Sequence, residues 1–366
     1  MATAVELGGR VAAGSIHALR FYDIAYQIDL EAVQASADTA ATRIRLQRTE
    51  PKAVDFGVPP LELALGKVSI PDLGLTGDAS ARIFEFGAAS ITLRLPVADV
   101  DWREYARLTN AVDQWSVRQE PWPWLEQVMR LVRPHATRPD VKRDLIEDYL
   151  IATVSATSES VTTEQLLASD ALVSLLSGET RQLAAGARAD LLKNHFSYYT
   201  NDLAVITWDR AFLYESEGST DVADVIEVAN AQLLELRYYD LLLDDELPRM
   251  YRRVQTARTG LRLLGRSHAK LAHELYAQVA EVTEITERID NALKVTEDVY
   301  LARIYSAVAD LFRLHSWNAD VERKLGIIRD TYFALNDDAT HARAELLELG
   351  IFLLIVFEVV MGLLNR

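Results

Sequence analysis

The sequence contains no cysteine, which excludes disulfides, thiolate metal sites and a cysteine nucleophile together. Bases are in the minority: 38 Lys and Arg stand against 54 Asp and Glu, a formal net charge of −16. That balance disfavours non-specific nucleic-acid binding by the whole molecule and leaves only local basic patches. The histidines form neither an HExxH pair nor a bundle-type Glu-x-x-His pair, so no metal and no cofactor is expected. No charged region followed by an apolar core opens the chain, and the bulk of it is therefore expected in the cytosol. Long apolar runs are absent as well, until the last residues.

That late run, residues 346–364, spans about 28 Å as a helix, against a bilayer hydrocarbon core of about 30 Å. Glu358 near its middle costs roughly 3 kcal/mol on an insertion scale, less than the surrounding Leu, Ile, Val and Phe return. Gly350, Leu354, Glu358 and Gly362 fall four apart on one stripe. Small residues there let helices approach, and a carboxyl can hydrogen-bond across. The run thus reads as a C-terminal membrane anchor holding the protein to the cytoplasmic face of a membrane. A second reading stays open, in which it is the buried end of a soluble helical bundle. That reading predicts Phe352, Ile355 and Phe357 covered by the chain's own helices.

Residues 1–217 read as an α+β domain. Alternating aromatic and β-branched residues predict strands over 16–30 and 42–48 and a strand pair over 81–96 bent at Gly87. Asp99 is expected to open a helix reaching Asn110, and a second helix is expected over 125–132. The neighbouring Trp122 and Trp124, set among prolines, read as a lid over the core. A buried strand follows at 150–155 and a capped helix begins near Ser160. The aromatic stretch 195–214 reads as a β-meander. His195, Asp202 and Asp209 within it are the one set from which an acid–base site could be assembled, which keeps open a soluble enzyme or regulator with its site near His195.

From 218 to 340 the pattern is helical. A heptad seam runs from Met250 to Val299, with His268 and Gln278 as polar positions of the register-fixing kind, and Val321, Leu325, Ile328 and Tyr332 continue a 3-4 spacing toward the tail. Reversals are expected at 316–318 or 336–338. Between Arg249 and Lys270 there is no acid, and Arg258, Arg262, Arg266 and Lys270 share one helical face. That stripe is the candidate contact for anionic lipid headgroups or RNA phosphates, unless it pairs with Asp240, Asp244, Asp245 and Glu246. The segment 260–267 has the outline of a phosphate loop but follows no strand, so it is not read as one.

Several of these residues resemble one family. Phe84-Glu85-Phe86-Gly87, the Ala229-Asn230-Ala231-Gln232 helix, and the series Tyr305, Ala307, Leu311, Val321, Lys324, Leu325, Ile328, His341, Leu346, Leu347, Glu348 and Glu358 are similar, in order, to the required-for-meiotic-nuclear-division proteins and their bacterial relatives. The resemblance implies a membrane-associated protein without an established catalytic activity, in a family whose mitochondrial member supports translation by organising ribosomes at the inner membrane. The reading of the whole is an α+β N-terminal domain (1–217), a long helical coiled-coil region (218–340) and a C-terminal apolar helix expected to be transmembrane (341–366). It describes a membrane-tethered, non-enzymatic scaffold that forms a homo-oligomer and links protein partners such as the translation machinery to the membrane.

Overall fold

The computed structural model describes residues 7–36, 41–43, 58–119, 122–140, 145–215, 220–259, 276 and 298–364. In chain order the first elements are β1 (Val11–Asp23), β2 (Ala25–Ile28), α1 (Leu30–Ser36), β3 (Ala41–Arg43), β4 (Leu61–Ile70), β5 (Leu75–Ile83) and β6 (Ala88–Val97). Then come α2 (Trp102–Arg118), α3 (Pro123–Val132), β7 (Ala136–Pro139), β8 (Ile146–Thr157), α4 (Thr163–Ala168), α5 (Asp170–Ser177) and α6 (Ala185–Leu191). The chain continues as β9 (His195–Phe196), β10 (Leu203–Ile206), β11 (Arg210–Tyr214), α7 (Asp221–Thr259), α8 (Val299–Leu311) and α9 (Leu314–Leu364).

The described strands form one nine-stranded sheet in the order β3-β4-β5-β6-β1-β8-β11-β10-β9, with β2 and β7 paired apart. Neighbours are antiparallel except β8 and β11, which run parallel. The sheet is mixed because β8 reaches β11 through α4 to α6, the kind of long crossover that a parallel pair requires. Strand β1 carries apolar residues on both sides, as a central strand should. Ile16, Ala18 and Tyr22 enter a core shared with Trp102, Tyr105, Leu108 and Val112 of α2. Leu19 and Phe21 are buried on the other side. There the start of α7 and all of α8 cover the sheet, with Arg82 of β5 bonded to Asp224 and Tyr149 of β8 packed 5.8 Å from Phe312.

Local chemistry sets the ends of these elements. The Asp101 carboxylate accepts from the N–H of Glu104 and starts α2 two residues beyond the expected Asp99, a normal N-cap. Thr162 and Gln165 make a reciprocal capping box at α4,. Gly87 turns β5 into β6 at φ 107°, and a Cβ there would meet the Ala25 carbonyl oxygen at 1.7 Å, so only glycine fits. Trp122 is buried with its Nε1–H donating to the Ser116 carbonyl. The expected lid is therefore in place, and Arg20 lies against it, 5.1 Å from the ring centroid.

The chain divides into two compact units, Met1–Glu235 with Ile289–His315, and Leu236–Arg288 with Ser316–Arg366. In the second unit Leu236, Tyr239, Leu243, Met250, Val321, Leu325 and Ile328 are buried. Lys324 of α9 joins it to α7, with Nζ 2.6 Å from carboxylate oxygens of both Asp240 and Asp244. Helix α9 runs unbroken through 316–318 and 336–338. The break falls instead at Arg313, which takes φ 57° between α8 and α9. Most of the heptad seam, residues 260–296 apart from Tyr276, lies outside the described residues, as does the segment 260–267.

The transmembrane part of the expected fold is corrected. Among the described residues no helix is long and apolar enough to cross a membrane. Residues 346–364 close a helix of 51 residues, and two acids interrupt them. The uncharged stretch between Glu348 and Glu358 is about 14 Å long as a helix, half of what a bilayer core demands.

Candidate functional site

Three groups of polar or exposed residues distinguish themselves from ordinary surface. The first is a charge clamp where α7 meets the sheet. Cross-strand pairing sets Glu62, Arg82 and Ser90 side by side on β4, β5 and β6. The Arg82 guanidinium lies 2.5 Å from carboxylate oxygens of both Asp224 and Glu227, and the Ser90 hydroxyl donates to Glu227. Burial pushes the Glu227 carboxyl above its usual range, with Arg82 opposing. For Arg82, burial works against the charge, but Glu227 and Asp224 outweigh it and hold the guanidinium more firmly protonated. One cation between two buried acids, each also accepting from a hydroxyl, Thr220 for Asp224 and Ser90 for Glu227, is an internal tie rather than a site with a free group.

Close by, the register sets His17 opposite Arg94. Burial first, then Arg94 and Arg82, lower the His17 imidazole to about 4, so it is neutral at physiological pH.

A second internal tie lies on the α2 side of the sheet. Buried Arg210 donates to Asn110 Oδ1 at 2.6 Å, to the Leu175 carbonyl at 2.8 Å and to Asp113 at 2.5 Å. Burial raises the Asp113 carboxyl, with Arg210 as the main opposing charge. The groove beside it, about 550 Å³ and lined by Arg103, Arg107, Asn110, Ser174 and Gly178, holds side chains already engaged: Arg107 is paired with Glu104 and Asn110 with Ser174 and Arg210.

The third group is the stretch read as an aromatic meander. Its strands β9, β10 and β11 do form, with β11 joined in parallel to β8. Helix α8 lies along this hairpin. Tyr300 at its start packs 5.4 Å from Tyr198, and Phe312 just past its end packs 5.8 Å from Trp208. The three residues from which an acid–base site was conceivable do not meet. His195 Nδ1 lies 2.7 Å from the Leu192 carbonyl, Asp202 ties its own loop through Ser197, Tyr198 and Tyr199, and Asp209 sits beside Thr207 and Arg210. Among the described residues no group of three His, Asp or Glu is placed to hold a metal ion.

The tail differs from all of these. Leu347, Ile351, Leu353, Leu354, Val360 and Met361 are exposed large apolar residues, and Phe352, Ile355 and Phe357 are 61%, 55% and 63% exposed. The reading that the chain's own helices cover these last three fails on that count. Gly350 has no heavy atom within 4 Å of where a Cβ would stand, and Glu358 is exposed among them. Of the basic stripe, Arg262, Arg266, Lys270 and the side chain of Arg258 lie outside the described residues. The acids considered as its partners are engaged: Asp240 and Asp244 with Lys324, Asp245 and Glu246 with Arg249. The sequence flagged the aromatics at 195–214 but could not join them to Tyr300, a hundred positions on, and it gave Arg82 no partner because Asp224 and Glu227 lie on a distant helix.

Comparison with known proteins points away from the family that the motifs resemble. A family model described as the N-terminal domain of uncharacterized protein MJ0711 matches residues 13–220. That span holds nearly all of β1 and every later strand, and it ends one residue before α7. Uncharacterized protein MJ0711 of Methanocaldococcus jannaschii is 28% identical over 193 residues, 52% of this chain and 58% of the relative. The chain thus spans less than two thirds of that protein's length. No solved structure matches. The assignment to the required-for-meiotic-nuclear-division family is therefore withdrawn, together with the ribosomal role it implied. The physical reason is visible in the motifs. Phe84-Glu85-Phe86-Gly87 is a tight hairpin turn with two stacked, buried rings, and Ala229 and Ala231 are buried small residues. Any family with a hairpin and a closely packed helix can carry such residues.

Proposed function

The chain belongs to the family of the MJ0711 N-terminal domain, and from that starting point we propose that it works by assembly and binding rather than by catalysis. In this reading the second unit joins copies of the chain through the C-terminal part of α9, and each copy contributes the sheet unit to the assembly. The observation that carries it is the exposure of large apolar residues in consecutive positions from Ile351 to Phe357. Consecutive positions cover every side of a helix, and a helix that is apolar all round is a buried helix. Neither a bilayer crossing nor the chain's own core accounts for it. A second copy supplies the same surface in return, as a two-fold interface requires. A standard interface buries about 800 Å² per partner, and ten half-exposed Leu, Ile, Val, Phe and Met residues reach that order of area.

The test is sedimentation equilibrium of the full chain at several concentrations, beside a variant carrying Ile351→Ser, Phe352→Ser, Ile355→Ser and Phe357→Ser. A wild-type oligomer that the variant converts to monomer supports the reading. A wild-type chain that stays monomeric at tens of micromolar overturns it.

A further inference from the structure

At the β9 edge of the described sheet three tyrosines and several carboxylates come together. Tyr198 and Tyr199 are 65% and 62% exposed, although large rings usually earn burial. Tyr198 stands edge-on to Tyr199 at 4.8 Å and to Tyr300 at 5.4 Å. The loop that presents them is fastened from below. The Asp202 carboxylate, itself buried, accepts from the N–H groups of Tyr198 and Tyr199 and from the Ser197 hydroxyl. The rings are thus held outward by a fixed turn.

The field around them is negative. Burial and then the charges of Asp202 and Glu215 push the Tyr300 hydroxyl above its ordinary range, with Arg303 opposing them and Asp298 adding to them. The face of an aromatic ring carries negative charge of its own and attracts a cation. Acids behind the rings add to that attraction. A guanidinium suits such a place better than an ammonium, since it is planar, weakly hydrated and able to stack. Strand β9, beside this loop, is the last of the described sheet and pairs there with β10, and the edge of a sheet is where an extended chain can add.

We propose that the Tyr198–Tyr199–Tyr300 cluster docks an arginine side chain of a partner polypeptide, stacked on the exposed ring faces within the field of Asp202, Glu215 and Asp298. The surface lies in the first unit and does not depend on self-association through α9.

The experiment is calorimetric titration of the full chain with the acetylated, amidated peptide Gly-Arg-Gly-Arg-Gly, and with the same peptide carrying citrulline for arginine. Citrulline keeps the shape and removes the charge. Binding of the arginine peptide, its loss with citrulline, and a weakening of about tenfold in Tyr198→Leu/Tyr199→Leu are expected, at two- to fivefold for each ring. Tyr198→Phe/Tyr199→Phe keeps the rings and is expected to bind as the wild type does, which guards against a mere loss of fold. Equal binding of the citrulline peptide, unchanged binding by the leucine variant, weakened binding by the phenylalanine variant, or no binding of the arginine peptide overturns the proposal. Unchanged binding by the leucine variant assigns the interaction to the bulk charge of −16 instead.

Discussion

Both units tie buried charges internally, as Lys324 with Asp240 and Asp244 shows for the second, but they differ in what they leave uncovered. In the sheet unit Asp224 and Glu227 are buried against Arg82, half-buried Asp113 is paired with buried Arg210, and apolar side chains of β1 are covered on both faces. In the helical unit Glu358 and the apolar residues around it stay in solvent. A unit that satisfies its own groups is complete, and substitutions there act on folding. A unit that leaves an apolar surface open is complete only with something else against it, and substitutions there act on association.

Arg82→Met tests the first half of that contrast and carries the largest expected effect. Removing the cation leaves two buried carboxylates facing each other, which costs about 3–5 kcal/mol at neutral pH. Burial already raises Glu227, and loss of Arg82 raises it further. A raised carboxyl binds its proton more firmly in the folded state, so stability recovers as the pH falls through its folded value. Urea unfolding of the variant at pH 7 and pH 5 reads this directly; an equal loss at both pH values contradicts the clamp.

His17→Asn comes next. The imidazole is lowered to about 4 in the folded protein from an ordinary value of 6.5. Between those values the unfolded chain binds a proton that the folded chain refuses, so the stability His17 supplies above 6.5 is lost as the pH falls toward 4. The shift is worth at most about 3.4 kcal/mol. The variant is expected to lose that part of the slope, and an unchanged pH profile of its unfolding would place the imidazole in water.

The same contrast explains what could be read in advance. Strand β6, most of β1 and the bend at Gly87 were legible because alternation and a single glycine are local signals; of β5 only residues 81–83 fell within the expected strand, since Gly74 and Gly77 read as a turn. Strand β4 was not legible, because Leu65, Gly66 and Lys67 break the alternation where the strand bulges against β5. The short helices α5 and α6 were hidden among small residues. The clamp was invisible for another reason: Arg82 meets acids 142 and 145 positions away, and no spacing rule reports a contact of that range. The tail misled in the opposite sense. Its composition is close to that of a spanning helix, and the sum of apolar contributions outweighs Glu358, but a sum does not register that Glu348 and Glu358 leave only residues 349–357 between them uncharged.

Asp202→Ala carries a smaller effect. It frees the N–H groups of Tyr198 and Tyr199 and the Ser197 hydroxyl, at a loop where water can replace the carboxylate. The expected loss is about 1–2 kcal/mol, the size of a lost cap. Near-ultraviolet circular dichroism should change with it, since the tyrosine pair relies on that turn; an unaltered tyrosine signal would mean the rings hold themselves.

The smallest effect on folding is expected where the most apolar atoms are changed, and it sharpens the contrast most. Phe352 and Phe357 are more than half exposed, so serine at both positions removes little that the isolated chain buries. At high dilution the thermal midpoint should match the wild type, a change within about 0.5 kcal/mol, as for ordinary surface positions. A phenylalanine in the sheet core, such as Phe21 or Phe212, would cost about 3–5 kcal/mol on truncation. Concentration separates the two cases further. Association stabilises the folded chain by mass action, so the wild-type midpoint should rise with protein concentration. In the serine variant that rise should vanish while the dilute midpoint stays. A variant that is less stable at every concentration would show that the tail belongs to the chain's own core, and the distinction between the two units would fail with it.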